Sequence, residues 1–182
     1  MPTRTQLIFL PRPSLRRAVV SVAALLALTS GCANAEPGVV AYVGPAEITQ
    51  DQLDDAIAGV TATLQPGQQV ARQAVVNAMI HGVLAEQIAA AQNIAVTDSE
   101  RDAVLKGSDL GGLLDVPAAR TIAYDLADQQ IVASKLGGEA YLKAVSEHPV
   151  TLNPRFGVLD PRQKLILPEQ SGSLAQPLPQ TS

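Results

Sequence analysis

The sequence predicts a mainly α domain of about five helices, with a small two-stranded β element joining its start and its end. Three observations predict it. Apolar residues recur at helical spacing through three long stretches, residues 53–64, 76–88 and 119–136. Helix-start signals stand before two helices, at Thr49 with Gln52 and at Thr97 with Glu100. Strand character is confined to two short β-branched runs, Val39–Val43 and Val150–Leu152, which lie near the two ends of a domain spanning residues 39–160.

Taken in order, Val39-Val40-Ala41-Tyr42-Val43 reads as a strand ended by the turn dipeptide Gly44-Pro45. Thr49 is then an N-cap and Gln52 completes its capping box, with Ile48 and Leu53 placed as a hydrophobic staple. Leu53, Ile57, Val60 and Leu64 carry the helix to Pro66-Gly67. The longest helix covers residues 70–92. Val76, Ile80, Val83, Leu84 and Ile88 form its stripe and Met79 widens it, an arc broad enough to predict a central helix covered on more than one side. Thr97-Asp98-Ser99-Glu100 opens a short helix towards Lys106, and residues 107–112 form a loop. Pro117 suits the first turn of the next helix, whose inner face is Ala119, Ile122, Ala123, Leu126, Ala133 and Leu136. Gly137-Gly138 breaks it, and a last helix over residues 139–147 stops before Pro149. Val150-Thr151-Leu152 returns to strand and is predicted to pair with the first strand, with Phe156 buried. Residues 161–182 are predicted to be a disordered tail. Beyond Leu167 the Pro, Gln and Ser content leaves too little apolar surface to offset ordering.

The first 31 residues carry a localisation signal. Arg4, Arg12, Arg16 and Arg17 precede an apolar run of 11 residues, Ala18 to Leu28, with no acid before Glu36. A membrane-spanning helix needs roughly 20 apolar residues, so this run fits the core of a signal peptide. Leu28-Thr29-Ser30-Gly31-Cys32 then resembles the lipobox of bacterial lipoproteins, with Thr29 where that family usually has leucine. The resemblance implies cleavage before Cys32, a diacylglycerol on its thiol, and a short tether over residues 32–38. The alternative is an ordinary signal peptide cut after Ala33 or Ala35. Four of the 13 basic residues precede Cys32, leaving nine against 17 acidic ones, a net charge of −8 after cleavage. That balance disfavours a nucleic-acid partner, and a single cysteine allows no internal disulfide.

The order of these motifs resembles the N-terminal domain of SurA-type periplasmic chaperones and the related PrsA-type foldases. The matching stretches are residues 39–53, a strand of the form VVAYVG followed by EITQDQLD, and residues 83–101, ending in AVTDSER. Asn153-Pro154-Arg155-Phe156-Gly157 is similar to an element near the end of an actinobacterial lipoprotein subgroup. The resemblance covers roughly residues 38–160 and implies binding of unfolded or partner polypeptides. Those relatives usually insert a parvulin-type isomerase domain of about a hundred residues. Too little chain follows Pro149 here to hold one, so only the binding role is carried over.

No catalytic constellation competes with that reading. Parvulin chemistry needs two facing histidines and a Cys or Asp; His81 is read as a partly buried or surface residue, and His148 as a helix-end group meeting the last carbonyls. Two isolated histidines and one cysteine predict no metal site, and no cofactor motif is present. Asp51, Asp54 and Asp55, like Asp98, Glu100 and Asp102, fall in first turns, where negative charge suits the helix dipole. Asn153 to Gly157 is read mechanically: Asn-Pro sets a turn, Gly157 permits a positive φ, Phe156 packs inward and Arg155 pairs with acidic surface. The functional alternative makes Arg155 a partner contact. The expected function is a non-enzymatic, membrane-anchored chaperone-like lipoprotein; the alternative is an accessory or scaffold lipoprotein binding one defined envelope partner. A chaperone predicts a large apolar cleft lined by flexible residues such as Met79, and a scaffold a compact patch.

Overall fold

A computed structural model of the chain describes residues 36–167. The predicted signal peptide, Cys32, most of the predicted tether and the residues beyond Leu167 lie outside the described residues. The order is β1 (Val39–Val43), β2 (Ala46–Thr49), α1 (Gln50–Thr61), α2 (Arg72–Ala91), α3 (Asp98–Lys106), a 3-10 turn (Gly111–Asp115), α4 (Pro117–Leu136), α5 (Gly138–Glu147), β3 (Val150–Leu152) and a second 3-10 turn (Pro154–Phe156). The mainly helical expectation holds, with five α-helices and one small antiparallel sheet.

The sheet has three strands in the order β2-β1-β3, one more than the two expected. The expected pair is present: Ala41 faces Leu152, Tyr42 faces Thr151 and Val43 faces Val150. The added strand is the other half of a hairpin, with Val43 opposite Ala46 across the two-residue loop Gly44-Pro45. Gly44 has a φ of 54°. Because proline holds φ negative, the loop satisfies only the hairpin type that needs a left-handed first residue. The sequence hides β2 because Ala46 and Glu47 are poor strand formers and only Ile48 of its four residues is buried.

Both capping boxes form. Thr49 caps α1 with Gln52 reaching back at 2.8 Å, and Thr97 caps α3 with Glu100 reaching back at 2.9 Å. The chain leaves α1 at Thr61, before Leu64 and well before Pro66-Gly67, and residues 62–71 form a loop. Helix α2 is central as predicted. It packs on α4 most extensively and also meets α1, α5, β1 and β2. Its length and apolarity would suit a membrane span, yet ten of its residues are buried inside the domain. Val76, Ile80, Leu84 and Ile88 are among them, each side chain contributing about 1.5–3 kcal/mol when fully buried. On α4 the buried face is Ala119, Ile122, Ala123, Ala127, Ile131 and Val132, so the inner stripe drifts away from the expected Leu126, Ala133 and Leu136, which are only half-buried. Gly59 lets α1 lie directly on α4, since a Cβ there would run into the backbone of Ala118.

One boundary is corrected. The tail was expected to begin at residue 161, but order continues to Leu167. Leu159 bridges to Ile166, Lys164 N donates to Asp160 O at 2.9 Å, and Ile166 N donates to Asn77 Oδ1 at 2.8 Å. Ile166 is 5% exposed, so one apolar side chain sealed against the core holds a segment whose composition alone looks unstructured.

Candidate functional site

Concave regions border α2 on several sides, three of them large, and α2 itself carries one sealed titratable group, His81. The first is an apolar groove of about 400 Å³ where α1, the 62–71 loop, α2, the first 3-10 turn and α4 converge. Val60, Leu64, Val70, Leu110, Leu113 and Leu126 supply most of its wall, with Asp109 the one charged residue. Among the described residues its rims are fastened by local bonds, including Gln65 N to Gln68 Oε1 at 2.9 Å on one side and Leu110 N to Ser108 Oγ at 3.2 Å on the other.

The second groove, about 380 Å³, lies where β2, α1, α2 and α4 meet and brings Glu47, Gln52, Asp55, Thr121 and Asp125 together with Ile48, Met79 and Val83. Met79 therefore belongs to this acid-lined groove and not to the apolar cleft it was expected to line, because α2 turns its 79/83 face towards β2 and α4. Asp125 is packed so closely on Gly82 that a Cβ there would overlap its carboxyl group. Burial pushes Asp125 up to about 7, and the charges of Asp128 and Glu86 add to the rise while Arg101 opposes it. Such a carboxyl group holds and releases a proton near neutrality, the property of a general acid or base. No second group of a catalytic set is hydrogen-bonded to it among the described residues. Sequence reasoning missed Asp125, because nothing in Tyr124-Asp125-Leu126 signals a neighbour 43 residues away.

The third region is a cavity of about 360 Å³ beside the Asn153–Gly157 turn, lined by Gln50, Arg72, Gln73, Val76, Arg155 and Phe156. The mechanical reading of the motif holds for four of its five residues. Asn153 is buried; its Nδ2 donates to Val39 O at 2.9 Å and its Oδ1 accepts from Arg155 N at 3.2 Å. Pro154 opens the 3-10 turn, Phe156 is 9% exposed and Gly157 has a φ of 120°. Arg155 departs from it. Instead of an acid, its guanidinium meets Gln50 Oε1 at 3.3 Å and lies 4.9 Å from the centre of the Phe156 ring.

No family model, curated protein or solved structure matches the chain. The remaining candidates are placed by geometry alone. His81 is not a surface residue: it is 6% exposed, and neither ring nitrogen makes a hydrogen bond among the described residues. Burial holds it below its ordinary value, and the backbone of Gln163 and Lys164, which faces it at poor hydrogen-bonding geometry, offsets only part of that. His148 sits as expected at the end of α5, its Nδ1 2.9 Å from Ala144 O. The two histidines lie on different elements, α2 and the residue after α5. Among the described residues no group of three or more His, Cys, Asp or Glu is arranged to hold a metal. Asp54 bonds Gln50 and Arg72, and Glu100 serves the α3 cap and meets Lys135 at 2.5 Å; both work as structural carboxylates. Arg101 forks onto Asp128 at 2.6 and 2.9 Å, tying α3 to α4.

Proposed function

We propose that the chain is an extracytoplasmic lipoprotein, anchored to the cell membrane through lipid on Cys32, that binds unfolded or partner polypeptides without catalysing a reaction. The apolar groove between α1, α2 and α4 carries the binding half of this reading. It offers leucine and valine walls to apolar side chains of a bound segment, and among the described residues its only charged lining group is Asp109. Among the described residues, the loops that frame it make no long-range hydrogen bond that would have to break for the groove to adapt to different segments. The anchoring half is supported by the sequence from Arg4 to Cys32, and the chaperone class by the SurA-type motif order.

A photo-reactive residue at Leu110, in the intact protein in living cells, tests the binding half. Many cross-linked polypeptides are expected. A single partner would replace the chaperone reading with the scaffold one, and no adduct would reject the groove. Mass spectrometry of the membrane fraction tests the anchor: a mature N-terminus at Cys32 bearing diacylglycerol is expected. Unchanged membrane attachment and size in Cys32→Ala would reject it.

A further inference from the structure

The cavity beside the Asn153–Gly157 turn shares no lining residue with the apolar groove, and its charge runs against that of the molecule. The chain holds 17 acidic residues against 13 basic ones, yet two arginines line this cavity. Arg155 forms no ion pair among the described residues; it is held in place by neutral partners, Gln50 and the ring of Phe156, over a turn fastened by Asn153. A guanidinium fixed by neutral groups keeps its full charge and most of its N–H fork for a ligand. Arg72 opens α2, a helix of 20 residues with no side-chain cap and no acid in its first turn. The positive end of that helix dipole therefore adds to the two side chains. Asp54 is the acid at the rim; its Oδ1 takes Arg72 Nη2 at 3.0 Å and Gln50 Nε2 at 2.8 Å, which leaves one arginine charge uncompensated.

The position of the cavity indicates where an anion would come from. Gln50, in its wall, donates its backbone N–H to Gly38 O at 2.8 Å, so the wall is fastened to the point where the tether meets the domain. Gly38 is six residues after Cys32, a reach of at most about 20 Å for an extended chain. Beyond Gly157, Val158 is 69% exposed and Leu167 is 45% exposed, and the two are joined by Leu167 N to Val158 O at 2.8 Å. Val158 follows Arg155 by three residues, and exposed apolar side chains close in the chain to an arginine with no ion pair among the described residues are the composition of a surface that rests on a bilayer.

We propose that this face docks on the membrane, with the cavity holding the phosphate of an anionic phospholipid headgroup between Arg155 and Arg72 while Val158 and Leu167 enter the headgroup boundary. The choice of a membrane as the source of the phosphate rests on the Cys32 anchoring reading. The bilayer would then set the orientation of the domain, and the residues of the apolar groove, none of which lines the cavity, would be left for clients.

The test uses the full chain with Cys32→Ser, which cannot be lipidated, so its outcome is separate from that of the mass spectrometry on Cys32. Sedimentation with vesicles of phosphatidylcholine alone is compared with vesicles of equal parts phosphatidylcholine and phosphatidylglycerol. Arg155→Gln and Arg72→Gln should each lower partition into the phosphatidylglycerol vesicles about fivefold, with partition into phosphatidylcholine unchanged. Equal partition of the parent and the double variant would overturn the proposal. Melting curves check that the variants fold. Should they not, hydrogen exchange on the chain with both arginines intact decides instead: phosphatidylglycerol vesicles should slow exchange at Arg72, Gln73, Arg155 and Val158. No slowing, or the same slowing by inorganic phosphate without vesicles, would reject the lipid.

Discussion

At the sheet end of the domain, β1, β3 and the chain up to Leu167 close over α2, and the core there is sealed: Val40 and Val43 are fully buried, and Phe156 and Ile166 nearly so. On the α1–α4 side the same helix borders an open groove whose rim residue Leu110 is 37% exposed. The two regions differ in how they are fastened. The sealed end is pinned by bonds between residues far apart in the chain, Asn153 to Val39 and Ile166 to Asn77, whereas among the described residues the groove loops are held by bonds that span six residues or fewer. Long-range pins make the sheet end part of the cooperative unit; local ones let the groove rims open without unfolding the domain. Stability is therefore expected to reside at the first region and adaptability at the second.

The largest expected effect is at the seal. Phe156→Ala should cost about 3–5 kcal/mol in urea or thermal melts, a large share of a domain's usual ~5–15 kcal/mol. An unmoved midpoint would mean that the C-terminal segment contributes nothing to closing the core. Asn153→Ala comes next: it strands Val39 O and uncaps the turn, for a loss of about 1–3 kcal/mol. A loss no greater than that of an exposed substitution would show that the pin is dispensable.

Protonation gives a third contrast, between His81 under the sealed end and Asp125 in the acid-lined groove, which are shifted in opposite senses. His81, beneath the C-terminal segment, titrates below its ordinary 6.5. Under pH 6.5 the unfolded chain binds the proton that the folded one refuses, so this contribution to stability is present above 6.5 and is lost as the pH falls. Asp125 titrates at about 7 against an ordinary 3.8. The folded chain holds a proton between those values that the unfolded chain has released, so its contribution is full below 3.8 and lost as the pH rises through 7. Melting temperature against pH should therefore lose its acid limb in His81→Leu and its neutral limb in Asp125→Asn, and a profile unchanged in both variants would refute the assignment. The smallest effect on stability is at the groove: Leu110→Ser should stay within about 0.5 kcal/mol while cross-linking to polypeptides falls. A loss like that of Phe156→Ala would erase the contrast.

Much of the fold was legible because its signals are local. Thr49 with Gln52 and Thr97 with Glu100 satisfy backbone donors three residues away, so the starts of α1 and α3 could be placed to the residue. The pairing of β1 with β3 was legible for another reason: a lone apolar strand must find a partner for its backbone, and only one other run was available. The end of α1 was not legible, because Leu64 keeps the helical spacing while Thr61 and Thr63 turn their hydroxyls back onto carbonyls of Ile57 and Val60. Of the sites, the turn at Asn153 could be read from residue types, but the neutral setting of Arg155 and the shifted Asp125 could not.

The sequence by itself determined the five helices, two of the three strands, and that one long helix must lie at the centre, since periodicity and caps act over a few residues. Tertiary structure alone decided that residues 161–167 are ordered, that Met79 lines an acidic groove, that His81 is sealed away from water, and that Arg72 and Arg155 share a cavity. Each of those depends on what a distant segment places beside the residue, and burial and charge are properties of that company.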